Sequence, residues 1–352
     1  MTGLPQTRPP SPARPKPSSQ PRAIGAPRFR SGPVLVRPPA TSANLGPGFD
    51  SFGLALELRD EVLVEALDEP GLHVEVLGEG AGEVPLEEGH LLVRSLRAGF
   101  DALGGQPAGL RVRCHNHIPH GRGLGSSSAA ICAGLVAARE LVEDGASVLD
   151  GDALLDLANA IEGHPDNVAP ALLGGLTVAW LEPEPGAEPG APGRPRALRL
   201  NPDPDIRAVV FVPPDPLATS VARGLLPELV PHRDASYNAG RAGLLTAALT
   251  TPELTHHHRA VLLHAATDDR LHQGYRAPAM PQSAALIDRL RADGFAAAVS
   301  GAGPTVLVLT VGPGWPQKAA AYAPDGWGVT TLAVAATGVC AGPGRVGGTD
   351  TP

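Results

Sequence analysis

Residues 118–132 read Ile118-Pro119-His120-Gly121-Arg122-Gly123-Leu124-Gly125-Ser126-Ser127-Ser128-Ala129-Ala130-Ile131-Cys132, between a strand-like stretch and an apolar, helix-forming one. Glycines at 121, 123 and 125 remove the β-carbons that would hold a polyphosphate away from the main chain, and they permit the positive φ angles that aim successive amides inward. Ser126, Ser127 and Ser128 then open a helix, whose first turn leaves amide donors unpaired and carries about half a positive charge. An anion seated there is held without a basic side chain. The stretch predicts a phosphate-binding loop running from Pro119 to Ala129, with a serine hydroxyl available to a metal.

The lysines narrow this reading. Lys16 and Lys318 are the only two in the chain. A Walker A loop needs a lysine directly after its last glycine, and here Ser126 follows Gly125. A triphosphate must therefore be neutralised by backbone, magnesium and arginine. A dinucleotide fold fails on pattern: Gly121, Gly123 and Gly125 lack the third glycine at the right distance, and the preceding strand alternates with Arg111 and Arg113 instead of being continuously apolar. Gly125 to Ala129 nearly spells a nucleophile elbow with Ser127 at its apex, but the final glycine is missing.

The 352 residues have room for two domains, each with its own core. Aromatics are 3% of the chain, so those cores must be built from Ala, Val and Leu. A net charge of −8 gives a phosphodiester backbone no general attraction, which argues against nucleic acid as a partner. Cys114, Cys132 and Cys340 have no paired spacing of the zinc or redox kind, which points to a reducing, cytoplasmic setting. No stretch approaches about 18 uninterrupted apolar residues, so no membrane helix is expected, and no signal-peptide core precedes the first strand.

Residues 1–32 alternate Pro, Arg and Ser and predict a disordered extension. Strands are expected at 34–37, 61–66, 72–77, 110–114, 176–180, 206–212, 296–300 and 306–309; helices at 91–103, from Ser126 to about 141, and at 154–161, 217–229, 237–249 and 284–292. Residues 182–196, crowded with Pro, Gly and Glu, read as a linker. That divides the chain into an N-terminal domain at 33–185, a C-terminal domain at 186–336 and a loose tail at 337–352. Four polar turns remain, at 41–50, 119–128, 162–167 and 300–305. Singly each has a plain explanation: Asn44 and Asp50 as Asx-turn residues, His164 to Asn167 as a helix start. His256, His257 and His258 are adjacent, point apart on a helix and read as solvated surface.

Taken together, the four turns resemble the signatures of the small-molecule kinases that include galactokinase, mevalonate kinase and homoserine kinase (the GHMP kinases), over roughly residues 33–310. Pro-Ala-Thr-Ser-Ala-Asn-Leu-Gly-Pro-Gly-Phe-Asp at 39–50 and His-Pro-Asp-Asn-Val-Ala-Pro-Ala at 164–171 are written as the homoserine kinases write them. The resemblance implies an α+β, two-domain fold, with a left-handed β-α-β unit in the N-terminal domain and a ferredoxin-like C-terminal domain. It implies ATP and Mg2+ as cofactors, L-homoserine as the alcohol phosphorylated, and a homodimer; the alternatives are a kinase of the same class acting on another small alcohol and a non-catalytic nucleotide-binding relative. It carries over Pro119 to Ala129 as the ATP loop, and Ser127 as a magnesium ligand with Glu162 or its competitor Asp156. Asn44, Asp50, His164, Arg223, Arg276, Gly301 and Gly303 follow as substrate contacts, Asp50 taking the ammonium. Asn167 stands where several relatives place a catalytic aspartate, so the resemblance leaves charge stabilisation to Arg223 and magnesium. Arg122 replaces a small residue and admits two readings, a charge for the phosphates or an exposed arginine without a role. His90 replaces an asparagine near the adenine pocket.

Overall fold

The computed structural model describes residues 26–186, 188 and 193–344. Its strands, numbered in chain order, are Val34–Arg37 (β1), Pro39–Ala43 (β2), Phe52–Arg59 (β3), Glu61–Leu67 (β4), Gly71–Gly78 (β5), Gly109–Asn116 (β6), Leu176–Glu182 (β7), Arg194–Leu200 (β8), Ile206–Val212 (β9), Ala296–Val299 (β10), Val306–Val311 (β11), Gly328–Ala333 (β12) and Cys340–Pro343 (β13). They form three sheets, ordered β13-β1-β4-β6-β5, β2-β3-β7-β8 and β10-β11-β9-β12. Every pairing is antiparallel except β5 with β6, which are joined through the helix Leu91–Ala102 as a β-α-β unit.

The helix Ser126–Leu141 is apolar on nearly every side, and 11 of its 16 residues are buried. It lies within the first core, among Val36, Val62 and Val64 of the first sheet and Leu92, Leu96 and Phe100 of the neighbouring helix. A second core lies between the second sheet, through Leu54, Leu56 and Leu176, and one face of the third, through Ala208, Val210, Leu307 and Leu309. The opposite face of the third sheet, Val209, Phe211, Val306 and Val308, packs on Leu286 and Leu290 of the helix Pro281–Ala292. Burial on both faces is why β9 and β11 read as apolar runs, interrupted only by Arg207 and Thr310; each buried Val or Leu contributes roughly 1.5–3 kcal/mol. The third sheet, with helices between β9 and β10 and the helix Trp315–Ala320 between β11 and β12, has the double β-α-β order of a ferredoxin-like domain.

The boundaries read from composition move in three places. The expected linker is the connection of a hairpin, because β8 pairs with β7 over its full length and extends the second sheet. The cut between 185 and 186 therefore falls inside an N-terminal sheet, and the passage to the third sheet comes after Leu200. Residues 28–30 are docked rather than disordered: the amide of Arg30 donates to Leu141 O at 2.8 Å, and Phe29 stacks edge-on against Phe100 with centroids 5.6 Å apart. Residues 1–25 lie outside the described residues. At the other end, residues 340–343 are not loose but add β13 to β1.

Several elements also differ from the pattern reading. Residues 39–43, expected as loop, form a strand with all five residues buried, so no alternation marks it. β3 was not expected, the helix start read at 164–167 opens the full helix Pro165–Leu173, the histidines at 256–258 begin the helix His256–Ala266, and the helix expected at 217–229 is only Thr219–Gly224.

Candidate active site

The four polar turns converge. The phosphate loop enters the helix Ser126–Leu141 through Gly125, whose φ of 70° is left-handed, as are those of Gly121 and Gly123 at 64° and 80°. A β-carbon on Gly125 would strike Thr41 Oγ1, and one on Gly123 would strike the carbonyls of Ser300 and Gly303. The loop is thus clasped between the turns at 41–50 and 300–305. Ser300 Oγ donates to Gly123 O at 2.6 Å and lies 2.8 Å from Ser42 Oγ, while the Gly301 amide donates to Ala43 O at 3.1 Å.

Two cavities meet at the start of this helix. One, about 280 Å³, is walled by Pro38, Val62, Val84, Pro85 and Leu92, with Asp60, His90 and His120 as polar groups. The other, about 200 Å³, is polar and is lined by Glu162, His164, Asn167, Arg223, Arg276 and Gly301 among others. Ser126 and Ser127 line both. A ligand with an apolar, planar end and an anionic tail can therefore run from the first cavity across the loop amides into the second.

In the first cavity His90 caps the helix Leu91–Ala102, its Nδ1 accepting from the Leu92 amide at 3.2 Å. Burial and the neighbouring His120 push its pKa down. Asp60 Oδ1 accepts from the amides of His117 and Ile118 at 2.6 and 2.9 Å, and burial raises its pKa.

Around the second cavity, Ser127 on its wall and the buried Ser128 behind it both donate to Glu162 Oε1, at 2.7 and 2.8 Å. Asp156, the competitor for the metal, is held instead by Arg194 Nε at 2.7 Å. Asp50, at φ 54°, forms a fork with Arg223, with Nη2 to Oδ1 at 2.8 Å and Nη1 to Oδ2 at 3.1 Å. Arg223 and Arg276 both approach the Phe49 ring, at 5.9 and 5.3 Å from its centroid. Arg276 is 1% exposed; its Nη1 donates to Gly301 O at 3.3 Å and to His272 Nδ1 at 3.2 Å, and its buried Nε has no partner among the described residues. His272 donates from Nε2 to Gly46 O at 2.7 Å, which leaves Nδ1 as the acceptor for Arg276; burial lowers the pKa of His272 and keeps that neutral tautomer.

Asn44, at φ 69°, uses its amide on the fold: Nδ2 donates to Gly301 O at 2.8 Å and Oδ1 accepts from the Asp50 amide at 2.9 Å. It reaches the cleft wall while fixing Asp50. His164 Nδ1 lies 2.6 Å from the buried Asp166, and that hydrogen bond raises the histidine pKa. Asn167 Oδ1 accepts from Thr41 Oγ1 at 2.8 Å. The Arg122 guanidinium is bonded to the carbonyls of 120, 213 and 214. Thr41, Phe49, Asp166, His272 and Ser300 were missed as site residues. Thr41, Phe49, Asp166 and Ser300 sat inside the marked turns; His272 had no sequence signal.

Residues 90–175 match the family description GHMP kinases N terminal domain, and residues 251–324 match GHMP kinases C terminal. Homoserine kinase of Streptomyces coelicolor is 59% identical over 286 residues, covering 81% of this chain and 87% of the relative. The chain belongs to the homoserine kinases of the GHMP kinase family. The homoserine kinase of Streptomyces avermitilis is 55% identical over 90% of this chain and 97% of its own. The crystal structure of homoserine kinase from Cytophaga hutchinsonii superposes with a TM-score of 0.74 at 25% identity, over 89% of this chain and 99% of that one. Family membership makes the chain an ATP-using kinase. Among the described residues no helix is long and apolar enough to cross a membrane.

Proposed function

We propose that the cleft transfers the γ-phosphoryl group of MgATP to the side-chain hydroxyl of L-homoserine, giving O-phospho-L-homoserine, a step of threonine biosynthesis. The observation that carries this is the meeting of an apolar cavity and a charged one at Ser126 and Ser127. The base takes the apolar cavity, and the phosphates take the loop amides and the helix N-terminus.

Glu162 with the Ser127 and Ser128 hydroxyls is an all-oxygen donor set holding one carboxylate, which suits Mg2+ arriving with bound phosphates. Ser127 and Glu162 would hold it, and the metal would supply charge neutralisation to the phosphates. An ionised carboxylate has about four acceptor sites, and the Arg223 fork occupies two on Asp50, so Asp50 can hold the substrate ammonium and Arg223 together. Arg276, which lines the polar cavity and whose Nε has no partner among the described residues, takes the substrate carboxylate, and the turn at Gly301 and Gly303 closes over the substrate. His164 and Asn44 complete the polar wall.

Phosphoryl transfer asks for alignment and charge compensation more than for covalent chemistry by the protein. Asn167 is an amide and cannot serve as a general base; its oxygen is already an acceptor for Thr41. The hydroxyl proton passes to the γ-phosphate or to solvent. Asn167→Ala is therefore expected to keep measurable turnover, within about tenfold to a hundredfold of the parent. An Asn167→Ala enzyme that folds and binds ATP normally yet has no detectable activity would contradict this reading. The cytoplasmic location, the homodimer and the absence of nucleic acid partners remain proposals, the last supported by the net charge of −8.

A further inference from the structure

Arg122 stands in the phosphate loop of a chain with two lysines, where charge toward the phosphates is the obvious use. The geometry gives it another. Its Nε donates to Pro213 O at 3.1 Å, Nη2 to Pro214 O at 2.6 Å and Nη1 to His120 O at 3.0 Å. Among the described residues no carboxylate pairs with it. Beside this fork the Leu217 amide donates to Gly121 O at 3.0 Å, and the Arg122 carbonyl accepts from the Thr305 amide at 3.3 Å.

Residues 213–217 leave β9 of the third sheet and run straight into the helix Thr219–Gly224, which carries Arg223. That helix has six residues, and of its two apolar ones only the small Ala222 is buried while Val221 is 53% exposed, so a single methyl group is all the apolar packing it has. Proline carbonyls at 213 and 214 come from residues without amide donors, and a planar guanidinium reaches two of them at once as an ammonium cannot.

We propose that Arg122 is a positioning residue for Arg223: it straps the phosphate loop to the segment leading into the Arg223 helix, so that Arg223 is registered against the phosphates the loop holds. The proposal rests on the reading of Arg223 as the charge-stabilising group. A displacement of about 1 Å at such a group costs as much as a hundredfold in rate.

The test is steady-state kinetics on the full chain with MgATP and L-homoserine, with folding checked by thermal melting. The variants are Arg122→Ala, Arg122→Gln, Arg122→Lys, Arg223→Ala and the double Arg122→Ala/Arg223→Ala. As a strap, Arg122→Ala lowers kcat by about tenfold to a hundredfold, with KM for ATP within about threefold. Arg122→Gln, which keeps a directed donor, retains more kcat than Arg122→Lys, which keeps the charge. In the Arg223→Ala background the Arg122 substitution costs less than about twofold, because the pair acts as one unit. A raised KM for ATP restored by Arg122→Lys would make Arg122 a phosphate ligand and overturn the proposal. Additive losses in the double variant would overturn it as well, by showing an effect independent of Arg223. If Arg223→Ala alone has parental activity, the underlying reading of Arg223 fails first, a result distinct from the other two.

Discussion

Arg223→Ala lowers kcat by about 10²- to 10³-fold, with KM for ATP little changed. Arg223 is one of two guanidiniums lining the polar cavity, and Arg276 is already tied to Gly301 and His272. With no lysine in the loop, Arg223 is the cation best placed to meet charge on the transferring phosphoryl group. Asp50 holds its fork in register from one side, and the Phe49 ring supports it from another. Each side chain of the Asp50 pair is 36% exposed, so the pair itself adds little to stability; the loss falls on catalysis. Arg223→Lys does not restore the rate, since an ammonium cannot bind Asp50 bidentately and project a second donor face. Stopped-flow or coupled ADP assays on the two variants read this directly. A kcat within threefold of the parent in Arg223→Ala would remove Arg223 from the chemistry.

Glu162→Ala costs about 10²-fold or more in kcat/KM at low magnesium, and part of the loss returns as magnesium is raised. Glu162 receives both serine hydroxyls on one oxygen, and these three groups form the oxygen cluster at the junction of the cavities. Asp156→Ala, by contrast, stays within about threefold of the parent in activity, because Asp156 is turned to Arg194 of β8 and its loss removes a half-buried ion pair away from the serine hydroxyls. A magnesium titration of both variants separates them. Equal sensitivity of the two, or a large loss confined to Asp156→Ala, would reverse the assignment made here between the two carboxylates.

The geometry of the loop at 119–129 was legible because it is a backbone matter: glycine spacing and a run of serines declare positive φ and a helix start without help from the rest of the chain. β9 and β11 were legible because two-sided burial leaves apolar runs, at 208–212 and 306–309. Residues 39–43 were not, because Thr41 and Ser42 are polar yet buried, bonded to Asn167 and Ser300 from distant turns. Nothing local announces a contact that spans more than a hundred residues of sequence. The hairpin β7-β8 was hidden by the composition of its long connection, and Phe29 by the prolines and arginines around it. The roles within the site divide the same way. Asp50 and Glu162 could be named from motifs, whereas the fork of Asp50 with Arg223, the His272 support of Arg276 and the Arg122 strap arise from tertiary packing.

The most direct measurement is ADP release from MgATP by the purified protein, with L-homoserine, L-serine, L-threonine, mevalonate, shikimate and galactose as acceptors, run beside Asp50→Ala. The account predicts strong turnover with L-homoserine alone, and in Asp50→Ala a KM for homoserine raised by about 10²-fold with KM for ATP unchanged. Turnover with another alcohol in preference to L-homoserine, or full homoserine activity in Asp50→Ala, would contradict it.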